Sequence, residues 1–499
     1  MEPSYEPFTW RQTKSGRWER DVDEVEQFYT TLAKRFQGSG RVFFALSAHV
    51  SFSVAHSSTF DSNEARALNA LRVAWLRLRY DHPTIASWVE YNHDAKKCHK
   101  VYETFGVKGE STWLENTFQV ISNSPSGHEW CNSNPPVPKL PTLFLVKRAP
   151  VDEHFRADLV LRSHHEIIDG IGSLHLLDNL FKYASEAFDL PEKFNVPQFG
   201  DEWKNLSPPL KAAASIPDLD VPEQDLTLKS IMDRNAAILE EAEIAQVPHQ
   251  AGATVPGYHK RVSLTLSEEQ TQHLLAASKK LDASITHVYH AAIAIVIRDL
   301  QAREHEKRRV RYISYSPINE RSQCKEPYNK PQHAASVYHS VSGQSLAIDL
   351  TVPALGNSNP TIEERKSEFT ETVQQVKEYY LNMRDDKEHI RLVPSYWYLS
   401  TPPYPPGTED PPVPPPNPAP SASIASLGMV DNILSPTHGQ FELNDPWVTG
   451  DELGTGLGLF LGTFRGRMSL SAAFNDAWHD GHDAKAFVIR CNNLVMEML

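Results

Sequence analysis

A chain of 499 residues is too long for one hydrophobic core, and 40% hydrophobic residues with ten tryptophans is the composition of a packed globular protein rather than a disordered one. A net charge of -14 opposes a general nucleic-acid or anionic-membrane role, because both need a concentrated basic surface. Cys98, Cys131, Cys324 and Cys491 are scattered, with no pair at metal-ligand or redox spacing, and read as reduced thiols in a cytoplasmic enzyme. No basic start and apolar run marks a secretory signal, and no stretch approaches the roughly eighteen apolar residues of a membrane span.

Val25, Phe28, Leu32 and Phe36 repeat at helical steps and predict a helix from about Asp21, stopped by Gly38 and Gly40. An apolar strand is expected at Arg41 to Ala48. Leu68, Leu71, Trp75 and Leu78 then share one face of a second helix, which ends near His82-Pro83 because proline disfavours helix just before it. Thr142 to Lys147 and Asp158 to Ser163 read as strands, and Leu174, Leu177, Phe181, Ala184 and Phe188 mark a helix opening at Gly172-Ser173. Between that strand and that helix lies His164-His165-Glu166-Ile167-Ile168-Asp169-Gly170.

Residues Ser207 to Pro222 are rich in Pro, Ala and Ser, which divides the chain into a first unit at 1–206, a linker at 207–225 and a second unit at 226–499. The second unit is expected to hold strands at Lys260 to Thr265, Val310 to Ser316, about Ser336 to Ser342 and Arg467 to Phe474. Its helices are expected at Ser267 to Leu281, at His287 to Leu300, through Phe369 to Met383, and at the end through Phe487 to Met498. The eleven prolines between Thr401 and Ser421 exclude a regular helix or central strand there, leaving a surface loop or a partner-binding segment. Both units mix strands with helices, so the fold class is α/β with mixed sheets.

Histidine, three residues, then aspartate occurs at His154 to Asp158, His165 to Asp169 and His479 to Asp483, so spacing alone selects nothing. Only the middle copy is preceded by an apolar strand, doubled at the histidine, followed by glycine and backed by an amphipathic helix. Strand alternation would put Leu159, Leu161, Ser163 and His165 on one face and Val160, Arg162 and His164 on the other. One histidine would then serve chemistry and the other packing or hydrogen bonding. An imidazole suits proton transfer because its ordinary pKa lies near neutrality. Asp169 could bond to that imidazole as a triad carboxylate, or turn away into a salt bridge that fixes the turn.

These seven residues resemble the HHxxxDG signature of the chloramphenicol acetyltransferase-like and condensation-domain superfamily. Leu68 to Ser87 is similar to that family's early helix, Lys260 to Leu300 to the opening of its second half, and Asn319-Glu320-Arg321 to an NxR element of its plant branch. The DFGWG sequence of that branch is absent, and no adenylation or carrier segment is recognised, so assembly-line peptide synthesis is not expected. Within the superfamily the chain looks most like the fungal trichothecene 15-O-acetyltransferase group.

The resemblance implies two similar subdomains meeting at a V-shaped groove with a central tunnel. It implies His165 as general base and Asp169 as a structural partner of an arginine from the other half, for which Arg321 is the candidate. His164, Gly170 and Asn319 would support the site. Ser426 sits where some relatives place a hydroxyl near a developing oxyanion, or is a plain loop serine. The co-substrate would be acyl-CoA, acetyl-CoA above all, with no permanently bound cofactor and no metal. The acceptor would be a hydroxyl of a small terpenoid or polyketide, and the chain would act as a monomer. The alternatives are a carrier-protein thioester donor and a catalytically silent binding protein of the same fold. The basic run Arg303, Lys307, Arg308, Arg309 and Arg311 would meet coenzyme A phosphates or an acidic carrier, or simply form a solvated helix end.

Overall fold

The structure, a computed structural model, describes residues 5–54, 60–106, 109–149, 154–218, 225–240, 242–253, 255–356, 360–405 and 420–499. Two sheets dominate. The first has six strands in the order Thr437–His438, Phe441–Gly450, Leu46–Val54, Phe155–Ser163, Thr142–Lys147 and Phe118–Ile121. Helices Phe60–Asp81 and Gly170–Asp189 cover it, and Leu71, Trp75, Leu78, Leu174, Leu177 and Phe181 fill the core between. The second sheet has four strands in the order His259–Thr265, Arg467–Asn475, Leu457–Phe464 and Ala422–Met429. Its core is built on helix Ile285–Asp299, whose residues are buried continuously from Val288 to Arg298. That all-round burial explains a helix apolar on every face.

Local signals set many boundaries. Reciprocal capping boxes open helices Glu24–Phe36 (Asp23 with Glu26), Glu268–Lys280 (Ser267 with Gln270) and Ile362–Asp385 (Thr361 with Glu364). Helix Phe60–Asp81 stops before His82-Pro83, where the proline ring leaves no room for a further helical turn.

Several elements depart from expectation. The strand expected at 41–48 runs instead over Leu46–Val54, because Phe44 adopts φ 52°, a left-handed conformation that ends any extended run. The strand expected at 336–342 shrinks to His339–Val341, and the residues before it form a loop. Residues 207–218 are not a free tether: Leu210, Ala213 and Ile216 are buried beside Val25 and Tyr29, while residues 219–224 lie outside the described residues. Most of the proline-rich segment, 406–419, also lies outside the described residues, and Tyr404 at its near edge stacks on Tyr91 at 4.2 Å.

Strand Phe441–Gly450, from beyond the 207–225 segment, pairs antiparallel with Leu46–Val54 in the first sheet. The strand after it, Leu457–Phe464, returns to the second sheet. A single hairpin-like excursion thus stitches the two sheets together along the groove between them.

Burial holds several histidines neutral. His290, hydrogen-bonded to the Tyr312 and Tyr380 hydroxyls, is pushed down to about 3, and His82 and His333 to about 4, with desolvation the leading cause in each. Burial drives Asp23 up to about 7 and Glu452 up to about 8, with neighbouring acids adding to the effect. A histidine whose folded pKa is depressed binds fewer protons than in the unfolded chain, so its contribution is lost as pH falls from about 6.5 toward 3 to 4. The two raised acids act oppositely, weakening the fold as pH rises from about 4 toward 7 to 8. Stability is therefore expected to peak near pH 6.5, each group contributing on the order of 1 kcal/mol per pH unit within its window. Urea midpoints from pH 4.5 to 8.5 check this, and a midpoint that rises as pH falls from 6.5 to 5 refutes it.

Candidate active site

Strand Phe155–Ser163 is buried at every position but one and ends at Ser163, so the alternation expected to reach His165 stops two residues short. His165 projects instead from a tight turn, closed by Ile167 N donating to His164 O at 3.3 Å. Buried Lys100 holds this turn, donating to Glu166 O at 2.6 Å while its ammonium pairs with Glu26 at 2.5 Å. Arg20 completes the network with a two-pronged pair to Glu26, both contacts 2.7 Å.

Asp169 ends the turn and opens helix Gly170–Asp189 as its N-cap, accepting from Gly172 N at 2.7 Å through Oδ1. Its Oδ2 accepts from Arg321 Nη1 at 2.9 Å and Tyr338 N at 2.8 Å, and its own N–H donates to Ser336 O at 3.1 Å. The carboxylate makes no hydrogen bond to His165, so of its two possible orientations the structure adopts the salt bridge. Burial alone would raise this carboxyl, but the Arg321 guanidinium, His339 and the Gly172 amide outweigh it and hold the pKa below the usual range. Asn319 accepts from Arg321 N at 3.2 Å and from its Nη1 at 3.4 Å, which presets the guanidinium.

His165 is 9% exposed, and that exposure faces a cavity of about 500 Å³. Its ring lies flat on Tyr29, with centroids 4.1 Å apart and planes within 4°, and Phe44 and His339 flank it at 6.3 Å and 5.3 Å. The Tyr29 hydroxyl bonds to His339 Nε2 at 3.1 Å. Burial, then proximity to His339, push the His165 imidazole down to about 3. Nδ1 is buried without a hydrogen-bond partner, which leaves Nε2 as the nitrogen available to the cavity.

The cavity also gathers Gly170, Asn319, Arg321 and Ser426. Ser426 is not on a loop but on strand Ala422–Met429, its hydroxyl 2.8 Å from that of Thr286. His164 faces elsewhere, with Nδ1 3.6 Å from Glu166 Oε1. Tyr29, Phe44, Tyr315, His339, Trp397 and Glu452 line the same space, and sequence reading singled out none of them. The doubled aromatic Phe43-Phe44, just before strand Leu46–Val54, was the one signal on offer.

The basic run is not at this site and not at a helix end. Arg308, Arg309 and Arg311 lie on strand Arg308–Ser314, where Arg308 pairs with Glu243 and both Arg309 and Arg311 with Asp349. The other His-to-Asp spacings serve structure. Asp158 accepts from Ser51 and Gly127 N, both at 2.6 Å, and His479 Nε2 bonds to Thr455 O at 2.8 Å.

Two sheets with a buried histidine between them make up the condensation-like architecture. A profile of the family described as 15-O-acetyltransferase Tri3 matches residues 144–383, which includes the histidine motif and Arg321. The chain is similar to the O-acetyltransferase pigM of Monascus ruber, 24% identical over 98% of this chain and 87% of the relative. It is also similar to the acetyltransferase pigO of the same organism, 22% identical over 98% of each. Among solved structures, the TRI3 trichothecene 15-O-acetyltransferase of Fusarium sporotrichioides superposes with a TM-score of 0.75 at 16% identity, over 99% of this chain and 98% of that one. The first condensation domain of the CDA synthetase shares the fold at a TM-score of 0.62 and 14% identity, over 96% of each chain.

The salt bridge predicts two outcomes. Arg321→Met leaves Asp169 buried and underpaired, and should lower stability by about 3 kcal/mol, the range for breaking a buried pair. A Cβ on Gly172 would overlap Ala334 O and come within 2.7 Å of Arg321 Nη2, so Gly172→Ala should cost comparably, although alanine favours a helix. Denaturant unfolding measures both, and a neutral Gly172→Ala would show that the interlobe contact is not tight.

Proposed function

We propose that this acyltransferase acetylates a hydroxyl of a small, largely apolar secondary metabolite, with acetyl-CoA as donor. The observation that carries the reading is a neutral, partly accessible imidazole at the wall of a cavity lined by Phe28, Phe43, Trp397 and Phe460. Such walls suit a fused-ring or polyketide acceptor, and favour it by the apolar area they remove from water. The relatives named for trichothecene 15-O-acetylation and for O-acetyl transfer point to the same acceptor group, an alcohol. The four buried, unbridged cysteines agree with a reducing, cytoplasmic setting.

In this reading the acceptor O–H donates to His165 Nε2. As the oxygen attacks the thioester carbonyl, the proton passes to the imidazole and the carbonyl oxygen takes the negative charge. Collapse of that tetrahedral species breaks the C–S bond, and the departing thiolate takes the proton back from the imidazolium. The products are the ester and the free thiol, with His165 restored. A depressed basicity serves the second half of this cycle, because a strongly acidic imidazolium returns its proton readily. Ser426, with Thr286 behind it, would supply a hydroxyl to the oxyanion. The stack on Tyr29 fixes the plane of the ring, and Asp169 with Arg321 fixes the turn that carries it.

His165→Ala should lower kcat by a hundredfold or more while the protein stays folded, as the loss of a general base typically does. Thiol release from acetyl-CoA with a panel of hydroxylated terpenoids and polyketides measures it, and less than a tenfold loss removes His165 from the base role. Because the resting imidazole titrates near 3, kcat/KM should stay level from pH 8 down to about 5. Half-activity near pH 6.5 would mean an ordinary, solvated histidine and would overturn this account of the site.

A further inference from the structure

The central cavity does not end at the strand that carries Ser426. Leu427, Val448 and Phe460 form a wall common to it and to a second cavity of about 270 Å³. On strand Phe441–Gly450, Thr449 and Gly450 line the first cavity, and Trp447 and Asn444 the second. On strand Leu457–Phe464, Gly458 lines the first, and Gly462 and Phe464 the second. Six residues of strand span about 20 Å. The cavities are therefore successive compartments of one groove between the two sheets, separated by a length that an extended pantetheine arm can bridge.

The second compartment holds more positive charge than the protein itself offsets, although Asp445 acts on Arg261 across it. Arg261 lines it at 3% exposure, its Nε buried without a hydrogen-bond partner, and no described carboxylate forms an ion pair with it. Its guanidinium lies over the Trp447 ring at 4.3 Å. The backbone beneath is pinned on both sides, Arg261 N donating to Asn132 Oδ1 at 2.8 Å and Asn132 Nδ2 to Arg261 O at 3.0 Å. Arg465 and Arg467 line the same compartment. The Arg465 side chain donates to the carbonyls of Leu443 and Pro436 and that of Arg467 to Leu266 O; Asp431 accepts from Arg465 N, but no described carboxylate forms an ion pair with either guanidinium. Asp445 is the acid in the lining, outnumbered by three guanidinium groups.

Burial pushes the Arg261 guanidinium down to about 10, which still leaves it charged near neutrality. A buried, unpaired cation is costly to keep. In a chain of net charge -14, three arginines converging on one compartment are not a by-product of composition. Ser469 and Ser471 add hydroxyl donors along the same wall. The chemistry asked for is a phosphate: multiply charged, rich in acceptors and matched to guanidinium forks.

We propose that this compartment binds the phosphate of a phosphopantetheine thioester, with Arg261 as the buried ligand and Arg465 and Arg467 at its mouth, so that the arm runs past Leu427, Val448 and Phe460 toward His165. This deepens the thioester-donor reading above and rests on it. Coenzyme A and a carrier protein's prosthetic group both present that phosphate, and the test separates them.

Calorimetric binding of coenzyme A and of pantetheine is compared in the wild type, Arg261→Gln, Arg261→Lys and Arg467→Gln, each with its unfolding midpoint recorded. Arg261→Gln should raise the Kd for coenzyme A tenfold or more while leaving that for pantetheine within about twofold, in line with loss of a hydrogen bond to a charged group. Arg261→Lys should recover part of the loss, and Arg467→Gln, at the exposed mouth, should give a smaller, salt-sensitive rise. His165→Ala should bind coenzyme A as the wild type does, which keeps the phosphate site separable from the chemistry. If coenzyme A fails to bind the wild type but a phosphopantetheinylated carrier protein binds in an Arg261-dependent way, the compartment stands and the coenzyme A reading falls. Equal losses for coenzyme A and pantetheine in folded Arg261→Gln, no loss at all, or wild type that binds none of these probes, would each overturn the proposal.

Discussion

The structure turns on one carboxylate. Asp169 accepts from the amide that starts its own helix, from the Tyr338 amide and from the Arg321 guanidinium, so three donors from two distant chain segments share two oxygens. Because all of these groups are buried, none can exchange its partner for water without a large desolvation cost. The carboxylate therefore fixes more than a turn. It joins the first lobe's helix to the 317–341 segment, and His339 from that segment flanks His165.

Around that anchor the site is built from apolar and aromatic surface. Tyr29 lies against one face of the imidazole, and its hydroxyl is spent on His339 rather than on the reacting group. Desolvation then keeps the ring uncharged over the whole physiological range. The neutral ring lines the aromatic cavity, and the guanidinium-rich compartment lies beyond Leu427, Val448 and Phe460. In the proposed reaction, apolar burial would hold the acceptor and charge pairing the donor, at a distance from the bond being broken.

The same economy explains the excursion of strand Phe441–Gly450 into the first sheet. Val448 packs over Gly170 at the start of the motif helix, Trp447 carries Arg261, and Asp451 just beyond the strand pairs with buried Arg162 at 2.9 Å. One strand thus supports the histidine turn, the second compartment and the contact between lobes.

The amino-acid order by itself determined the local pieces: helix starts at capping residues, the stop before Pro83, the buried strands flanking the motif, the mixed α/β class, and the singling out of His165 and Asp169. These depend on periodicity and on backbone chemistry within a few residues. Capping, proline geometry and alternation act over that range and leave a readable mark. What only the tertiary structure decided is which distant groups meet. Tyr29 beneath the imidazole, the left-handed Phe44, the burial of 207–218 that looked like a tether, and the lone Arg261 carry no local signature. Their roles come from contacts between residues more than a hundred positions apart, and from desolvation, which belongs to the assembled core rather than to any segment of the chain.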